Sequence, residues 1–225
     1  MINNEQINEV PYVKYLGILL DSQLSFKYHI DEVKKKNSRS IGILYKLKPF
    51  VTNKILTNVY YAIIYPFILY GIEVWGNANK TLLALIHTLQ KKFVRLVTNN
   101  DQYPDLPGPL AHTPPLFLYL NVLTVFDIFK LQLGKFVYDA VNNIGPANKI
   151  INFNMASTIH SYNTRYANQG NFFVYNARTT RYGLKSLSAE GTKLWRNLPS
   201  DIKDKSSKKA FINWLKKYLI NIKNL

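Results

Sequence analysis

The sequence predicts a mainly α-helical protein with an N-terminal β-hairpin, a three-helix bundle, and a mixed, mostly helical and basic C-terminal module. Three observations predict this fold class. Strand-forming residues are concentrated at 12–20. Apolar residues then recur at helical spacing from about 27 to 98. Hydrophobic residues make up 47% of the 225, enough to bury a substantial core.

The hairpin is predicted from two runs of strand formers, 12–21 (YVKYLGILLD) and 24–26 (LSF). The polar residues 21–23 (DSQ) between them are typical of a turn. Gly17, in the middle of the first run, predicts a bulge or a close approach to another backbone. A two-stranded hairpin is marginal in water by itself, so we expect it to pack on the helices or to join a larger sheet.

The three helices of the bundle are predicted at about 26–48, 52–68 and 79–98. We expect Pro66 to kink the second helix, because a proline inside a helix removes one hydrogen bond and costs about 3 kcal/mol. The predicted buried stripe of this helix consists of Ile55, Leu56, Val59, Tyr60, Ile63, Ile64, Phe67 and Ile68.

A membrane span is the alternative for residues 55–72, which carry no formal charge. The same stretch contains a proline and four tyrosines, and its apolar residues favour one face. These features favour a buried core helix, and no membrane partner is expected.

The C-terminal half is less regular. Residues 99–115 are dense in Pro, Gly, Asn and Asp and predict a linker, followed by a short apolar helix at 116–120. A capping-box pattern at Thr124 opens a predicted helix to about 142, and a last helix is predicted from 206. Between 148 and 200 the periodicity is weak, with a loop predicted around 160–165 and a strand at 171–178.

The charge of the chain points to a polyanionic partner. Lys and Arg outnumber Asp and Glu by 29 to 13, giving a formal net charge of +16 and a pI near 9.8. Residues 1–110 hold 13 basic and 8 acidic side chains, whereas residues 111–225 hold 16 and 5. Such an excess is typical of nucleic-acid binding, with a solvated basic surface as the alternative.

Catalytic patterns are scarce. The chain has no cysteine, which excludes disulfides, cysteine nucleophiles and thiolate zinc sites. Asp31 and Glu32 are the only adjacent acidic pair, and neighbours on a helix point apart. The four histidines show no metal-ligand spacing, and no phosphate-binding glycine loop is present.

Several segments together resemble the end of a non-LTR (LINE-type, jockey-like) retrotransposon reverse transcriptase. Residues 13–21 resemble the primer-grip hairpin of that family. Three motifs resemble parts of the thumb of the family: 65–71 (YPFILYG), 75–76 (WG) and 89–92 (LQKK). Three further motifs resemble the region after the thumb: 112–116 (HTPPL), 162–165 (YNTR) and 193–199 (KLWRNLP).

The resemblance implies three domains: a primer-grip-like hairpin at 1–26 that is a remnant of the palm, a thumb-like bundle at 27–103, and a basic C-terminal module at 104–225. It implies the portion of an RNA-directed DNA polymerase that holds the template–primer duplex of RNA and DNA. The catalytic aspartates of the family lie upstream of the hairpin pattern, so no catalytic or metal-binding residue is predicted. No cofactor is expected in this chain, whereas the parent polymerase uses Mg²⁺. The chain is expected to be inactive alone.

The expected partners are RNA and DNA, together with a palm and fingers segment, in an intracellular location that is either nuclear or cytoplasmic. The alternative is a non-catalytic nucleic-acid- or partner-binding protein derived from a mobile element. The primer-grip-like residues are Tyr15, Leu16, Gly17 and Ile18. The predicted nucleic-acid-binding residues are Lys34, Lys35, Lys36, Arg39, Lys91, Lys92, Arg95, Arg165, Arg178, Arg181, Tyr182, Lys193 and Arg196.

Overall fold

The computed structural model describes residues 10–98, 113–145, 153, 156–159, 172, 178–179, 183, 185–203 and 207–221. It confirms the predicted fold class, since the chain is mainly helical with an N-terminal antiparallel hairpin. The chain forms two compact units. Unit 1 comprises Met1–Gly71 and Ala78–Leu110, and unit 2 comprises Ile72–Asn77 and Ala111–Leu225.

The hairpin consists of β1 (Val13–Tyr15) and β2 (Ile18–Leu20), paired so that Tyr15 faces Ile18. Leu16 and Gly17 form the loop, with φ angles of 44° and 81°. Positive φ at both loop residues is the signature of a type I′ turn, which fits the twist of the strands. The predicted hairpin is therefore present, but its predicted turn at 21–23 is wrong. Gly17 supplies the turn and divides one apparent long strand into two short ones.

The side chain of Asp21 organises the connection from the hairpin to the first helix. Its carboxylate oxygens accept hydrogen bonds from the backbone N–H groups of Gln23, Ser25 and Phe26, at 3.1, 3.0 and 2.9 Å, and from the Ser25 hydroxyl at 3.0 Å. These bonds hold Leu24 and Phe26 at positive φ, with the Phe26 side chain buried. Segment 24–26, predicted as a strand, is therefore a hydrogen-bonded turn.

The described helices, in chain order, are α1 (Lys27–Leu47), α2 (Asn53–Val59), α3 (Tyr65–Leu69), α4 (Ile72–Trp75), α5 (Lys80–Thr98), α6 (Pro114–Tyr119), α7 (Val125–Val141), α8 (Ala156–Ile159), α9 (Leu187–Asn197), α10 (Ser200–Lys203) and α11 (Lys208–Asn221). A short 3₁₀ turn, Lys48–Phe50, follows α1 and contains the proline that ends it. Helix α4 belongs to unit 2, and helices α1, α2, α3 and α5 belong to unit 1.

Unit 1 is built around the predicted three-helix bundle. Helix α1 packs along α5 and also contacts the continuous segment from α2 to α3. The fully buried side chains at its centre include Ile30, Leu44, Leu56, Ile86 and Phe93. Their burial follows from the apolar stripe that each helix carries at 3.6-residue spacing.

The segment from α2 to α3 accommodates Pro66 through a π-helical turn at Tyr60–Ile64. The Tyr65 backbone N–H donates to the Tyr60 carbonyl five residues earlier, and α3 then begins with Pro66 in its first turn. Proline is tolerated there because first-turn N–H groups need no partner within that helix. The helical path therefore continues through the proline by means of a local widening of the helix. Two residues of the predicted buried stripe, Ile55 and Phe67, are 45% and 38% exposed.

The π turn is tied to α5 by Tyr60, which is fully buried. Its ring stacks on Phe93 with centroids 4.2 Å apart, and its hydroxyl accepts a hydrogen bond from Gln90 Nε2 at 2.9 Å. Burial raises the pKa of Tyr60, so its hydroxyl stays protonated at physiological pH. A buried polar pair that satisfies itself in this way fixes the position of the π turn on α5.

Unit 2 is centred on α7, which packs against α4, α9 and α11. Thr124 caps α7 through its hydroxyl, which accepts from the Asp127 backbone N–H, as the capping-box pattern predicted. The predicted helices at 116–120, 124–142 and 206 onward are confirmed by α6, α7 and α11. Helix α9 was not predicted. The predicted linker, loop and strand in this half lie largely outside the described residues.

The Asp21 turn generates a prediction about acid stability. Burial opposes ionisation of Asp21, but the hydrogen bonds from Ser25, Phe26 and Gln23 outweigh it and lower the pKa of the carboxyl below 3.8. A lowered native pKa contributes stability that is complete above the unfolded pKa and is lost as the pH falls through the native pKa. We expect Asp21→Asn to lower the free energy of unfolding at pH 7 by about 1–3 kcal/mol and to flatten its decline below about pH 4.

Urea unfolding followed by circular dichroism between pH 7 and pH 3 measures both effects. Asp201→Asn, which removes an exposed carboxylate in unit 2, is the control for the loss of one negative charge. An Asp21→Asn profile that coincides with the Asp201→Asn profile would contradict the role assigned to the turn.

Candidate nucleic-acid interface

The tip of the hairpin carries the residues predicted to be primer-grip-like. Tyr15 and Leu16 are 64% and 73% exposed, whereas Ile18 is buried and packs inward. Gly17 lies against Tyr70, and a Cβ atom at Gly17 would stand 3.3 Å from the Tyr70 ring. Gly17 therefore approaches a side chain of the same unit, rather than another backbone as the sequence predicted.

Tyr70 connects this tip to the helical bundle. Its hydroxyl donates a hydrogen bond of 2.6 Å to the Leu16 carbonyl, although the residue is 57% exposed. Phe67 lies one helical turn before Tyr70 on the same segment. The tip and the end of α3 thus expose neighbouring apolar and aromatic surface.

The exposed surface continues from Phe67 onto α1. The Lys36 ammonium group lies 5.5 Å from the centroid of the Phe67 ring, which is cation–π geometry. Arg39 is exposed one turn further along α1. We call the surface formed by Leu16, Tyr70, Phe67, Lys36 and Arg39 the hairpin–helix strip. It joins an apolar tip to two cations through two aromatic rings.

The other predicted cations of α1 are less available. Lys34 is half-buried. Lys35 is exposed but pairs with Asp31 at 3.0 Å and Glu32 at 3.8 Å, and the hydrogen bond to Asp31 raises the pKa of Lys35. The basic run at 34–36 therefore does not act as one charged face, because helical geometry points its members in different directions.

Helix α5 carries a second group of predicted cations. Lys92 and Arg95 are exposed and lie one turn apart, and Lys91 is half-buried. They occupy the side of α5 opposite Ile86 and Phe93, which are fully buried in the bundle. These three residues give α5 a basic outer surface.

In unit 2 the predicted cations are dispersed. Arg178 and Arg196 are exposed, whereas Lys193 pairs with Glu190 at 2.8 Å on the same helix. Arg165, Arg181 and Tyr182 lie outside the described residues. Of the three predicted cations in the described part of unit 2, Arg178 and Arg196 are therefore the two that present exposed charge.

Sequence reasoning missed the aromatic members of the strip. The apolar spacing predicts Phe67 in a buried stripe, and Tyr70 stands out only as part of the YPFILYG motif. Their exposure depends on where the helix meets the hairpin, which a periodicity count does not reveal. Trp214, which is 50% exposed on a lysine-rich helix, was also missed. Its position outside the Phe211, Leu215 and Leu219 stripe was the available signal.

The described part of the chain contains no set of side chains suited to binding a metal ion. No group of three or more His, Cys, Asp or Glu side chains there could hold a metal ion. The described helices also include none with the length and apolar character needed to cross a membrane. The chemistry that the described residues offer is that of cations, aromatic rings and exposed apolar side chains.

Comparison with curated proteins identifies the relatives. The chain is 30% identical over 129 residues to the probable RNA-directed DNA polymerase from transposon X-element of Drosophila melanogaster, a match that covers 54% of this chain and 13% of that protein. It is 31% identical over 107 residues to the RNA-directed DNA polymerase from mobile element jockey of the same species, covering 45% and 12%. About half of this chain is homologous to a jockey-like reverse-transcriptase segment.

The homology concerns a segment only. The chain spans between 11% and 13% of the length of its curated relatives, which include the probable polymerase from transposon BS at 30% identity over 100 residues. No family model matches the chain, and no solved structure matches it significantly. The recognised resemblance to non-LTR reverse transcriptases is thus confirmed through the curated relatives.

The anchoring of the tip generates a prediction. Tyr70→Phe removes the hydroxyl that donates to the Leu16 carbonyl, a bond whose net contribution we expect to be about 0.5–1.5 kcal/mol. The hairpin should open more often, so amide hydrogen exchange over residues 13–20 should accelerate by roughly 2- to 10-fold. Tyr45→Phe, at a tyrosine of α1 that is 52% exposed, is the matched control and should leave these rates unchanged. Equal exchange in both variants would show that the bond does not hold the tip.

Proposed function

We propose that unit 1 holds a template–primer duplex of RNA and DNA as a portion of a retrotransposon RNA-directed DNA polymerase. The observation that carries this proposal is the hairpin–helix strip, in which an exposed apolar tip continues through two aromatic rings to two cations. The names of the relatives support it, because they are RNA-directed DNA polymerases. On this proposal residues 1–26 are a primer-grip-like hairpin, residues 27–103 are a thumb-like bundle and residues 104–225 are a basic C-terminal module.

A duplex presents phosphates and sugars, and the strip has groups that suit both. Its phosphates attract Lys36 and Arg39 with release of counterions, a contribution that does not depend on sequence. Its sugars offer apolar surface against which Leu16 and the rings of Tyr70 and Phe67 can pack. Such contacts fix position and orientation without reading bases, which is what a polymerase needs in order to hold any template.

The strain at Leu16 supports a role for the tip. A leucine at φ 44° is disfavoured, and type I′ turns prefer asparagine at this position. Leu16 is also the second most exposed large apolar residue in the described part of the chain, after Phe50. Leu16 thus destabilises the chain through both its strained backbone and its exposed apolar side chain. Such a cost is consistent with a side chain that contacts another molecule.

The proposed role is holding, because nucleotidyl transfer by two metal ions needs converging carboxylates. The described residues contain no such ligand set. On this proposal the Mg²⁺ site and the catalytic aspartates belong to a palm segment that acts together with unit 1.

Leu16→Asn separates contact from folding. Asparagine tolerates positive φ, so the variant should melt at the same or a higher temperature while its affinity for a primed RNA–DNA hybrid falls several-fold. Gly17→Val would not serve, because Gly17 itself has φ 81° and a valine would strain the turn. The measurement is fluorescence anisotropy with a labelled hybrid, alongside thermal melting by circular dichroism.

Leu24→Asn provides the matched control. Leu24 is also a leucine at positive φ, 48°, and is 43% exposed, but it lies in the Asp21 turn. Leu24→Asn should relieve the same kind of backbone strain, and it should bind the primed hybrid as tightly as the parent chain does. If Leu16→Asn and Leu24→Asn bind the hybrid equally well, the tip does not contact the duplex and the chain is better described as a generic nucleic-acid- or partner-binding module.

The cations of the strip generate a separate prediction about salt. Replacing Lys36 and Arg39 together by alanine should weaken duplex binding, and it should reduce the slope of log affinity against log salt by about one for each lost phosphate contact. Lys54→Ala, at an exposed lysine at the start of α2, should leave the slope nearly unchanged. Titrations over a series of NaCl concentrations measure the slope. An unchanged slope in the double variant would assign these cations to an ordinary solvated surface.

A further inference from the structure

Helix α11 has two different faces. Phe211, Leu215 and Leu219 are buried, and α11 packs against α7. The remaining surface is rich in lysine, and residues 207–221 contain no acidic side chain. Lys208 pairs with Asp139 at 2.6 Å, which leaves Lys209, Lys216 and Lys217 as further cations of this helix.

Trp214 lies on this basic surface with 50% of its area exposed. The Lys217 ammonium group is 5.7 Å from the centroid of the Trp214 ring, one helical turn away. Helical side chains lean toward the N-terminus, so Lys217 leans back over the indole, and the indole leans over the turn that contains Ala210.

The end of α9 adds to this surface. The Tyr218 hydroxyl donates a hydrogen bond of 3.2 Å to the Asn197 carbonyl, and Tyr218 is one turn from Trp214 on α11. This bond places the last turn of α9, with the exposed Arg196, next to the end of α11. Arg196 therefore adds a second cation, besides Lys217, to the surface around the end of α11.

Single exposed apolar residues are common on protein surfaces and by themselves indicate nothing. Trp214 differs because a lysine ammonium group lies over its ring, on a helix segment without an acidic side chain, in a chain with a formal net charge of +16. An exposed ring among cations complements a ligand that is anionic along its backbone and presents flat apolar rings. A duplex hides its bases in the stack, whereas a single strand exposes them.

We propose that Trp214, with Lys217 over its ring and Arg196 at the adjacent end of α9, is a stacking site for an unpaired base of single-stranded nucleic acid. The indole stacks on the base, and the cations contact the neighbouring phosphates. The site lies in unit 2 and goes beyond the duplex-holding role proposed for unit 1. It would bind a single-stranded segment of a template or transcript without regard to sequence, since every base has a flat face.

The experiment uses the full chain and a fluorescently labelled single-stranded RNA of twelve uridines, with a blunt RNA–DNA duplex of equal length for comparison. Trp214→Ala should reduce affinity for the single strand by roughly 5- to 150-fold, with Trp214→Phe in between, and should leave duplex affinity unchanged. Tyr119→Ala, at an aromatic residue of α6 that is 51% exposed in the same unit, is the matched control and should bind like the parent chain.

Intrinsic fluorescence gives a direct readout of stacking. Of the three tryptophans, Trp75 and Trp195 are 0% and 5% exposed, so quenching by an added oligonucleotide reports mainly on Trp214. The uridine strand should quench the emission of the parent chain, and an abasic strand with the same phosphates should not. The quenching should be absent in Trp214→Phe.

Each result decides between the proposals. Equal affinity of Trp214→Ala and the parent for the uridine strand, or equal affinity of the parent for the uridine and abasic strands, overturns the stacking site. If the chain does not bind the primed hybrid but Trp214→Ala loses single-strand binding, the stacking site is supported and the duplex-holding role is contradicted. If duplex binding depends on Leu16 but Trp214→Ala binds the single strand like the parent chain, the duplex-holding role is supported and the stacking site is contradicted. Circular dichroism at 222 nm, the standard helix signal, verifies that each variant is folded.

Discussion

A hairpin of two three-residue strands cannot hold its shape in water without support, and this constraint governs the arrangement of unit 1. Support comes from both ends of the hairpin. At the tip the Tyr70 hydroxyl binds the Leu16 carbonyl, and at the base the Asp21 carboxylate binds three backbone N–H groups. Between them the Ile18 side chain is buried. Because the tip is fixed relative to α3, the exposed surface from Leu16 to Arg39 is a stable feature of the unit rather than a chance proximity.

The elements that sequence predicted well are those in which local preference and burial agree. Helices α1, α5 and α7 combine long apolar stripes with clear start or stop residues, and they appear where predicted. The hairpin was predicted, but its turn was misplaced because a leucine at positive φ contradicts the usual preference. Helix α9 escaped prediction because its buried residues are Gly191, Thr192 and Trp195, which do not form an apolar stripe.

The candidate site was only half visible in the sequence. Lysine and arginine positions can be read directly, but the sequence does not show which of them are already paired. Lys35, Lys193 and Lys208 each bind a carboxylate, so the formal charge overstates the cationic surface that a ligand would meet. The aromatic members depend on tertiary position, since Phe67 and Trp214 are exposed on helices whose other apolar residues form the core. The basic residues of the sequence therefore indicate which helices carry positive charge, and only the packing shows which side chains on those helices face outward.

The two proposed sites are different kinds of surface, each suited to a different form of nucleic acid. In unit 1 an apolar tip and two cations offer a shape that suits the continuous backbone of a duplex. In unit 2 a single indole among cations suits a base that is not paired. On these proposals the positive charge of the chain attracts any nucleic acid to both surfaces, and the aromatic and apolar groups supply the discrimination that charge alone does not.

The π turn at Tyr60–Ile64 has a consequence for how this segment can change over evolution. A π turn contains one residue more than the α-helical path it replaces, and each residue of an α-helix turns the following side chains by about 100°. Loss of a single codon within the π turn would restore a regular helix and leave Phe67 and Tyr70 facing Lys36 and Leu16, but it would remove the local widening that accommodates Pro66. Loss of a codon between the π turn and Tyr70 would instead rotate Tyr70 by about 100° away from Leu16. Lineages that retain both the proline and the contact between helix and hairpin should therefore tolerate substitutions in this stretch far better than deletions.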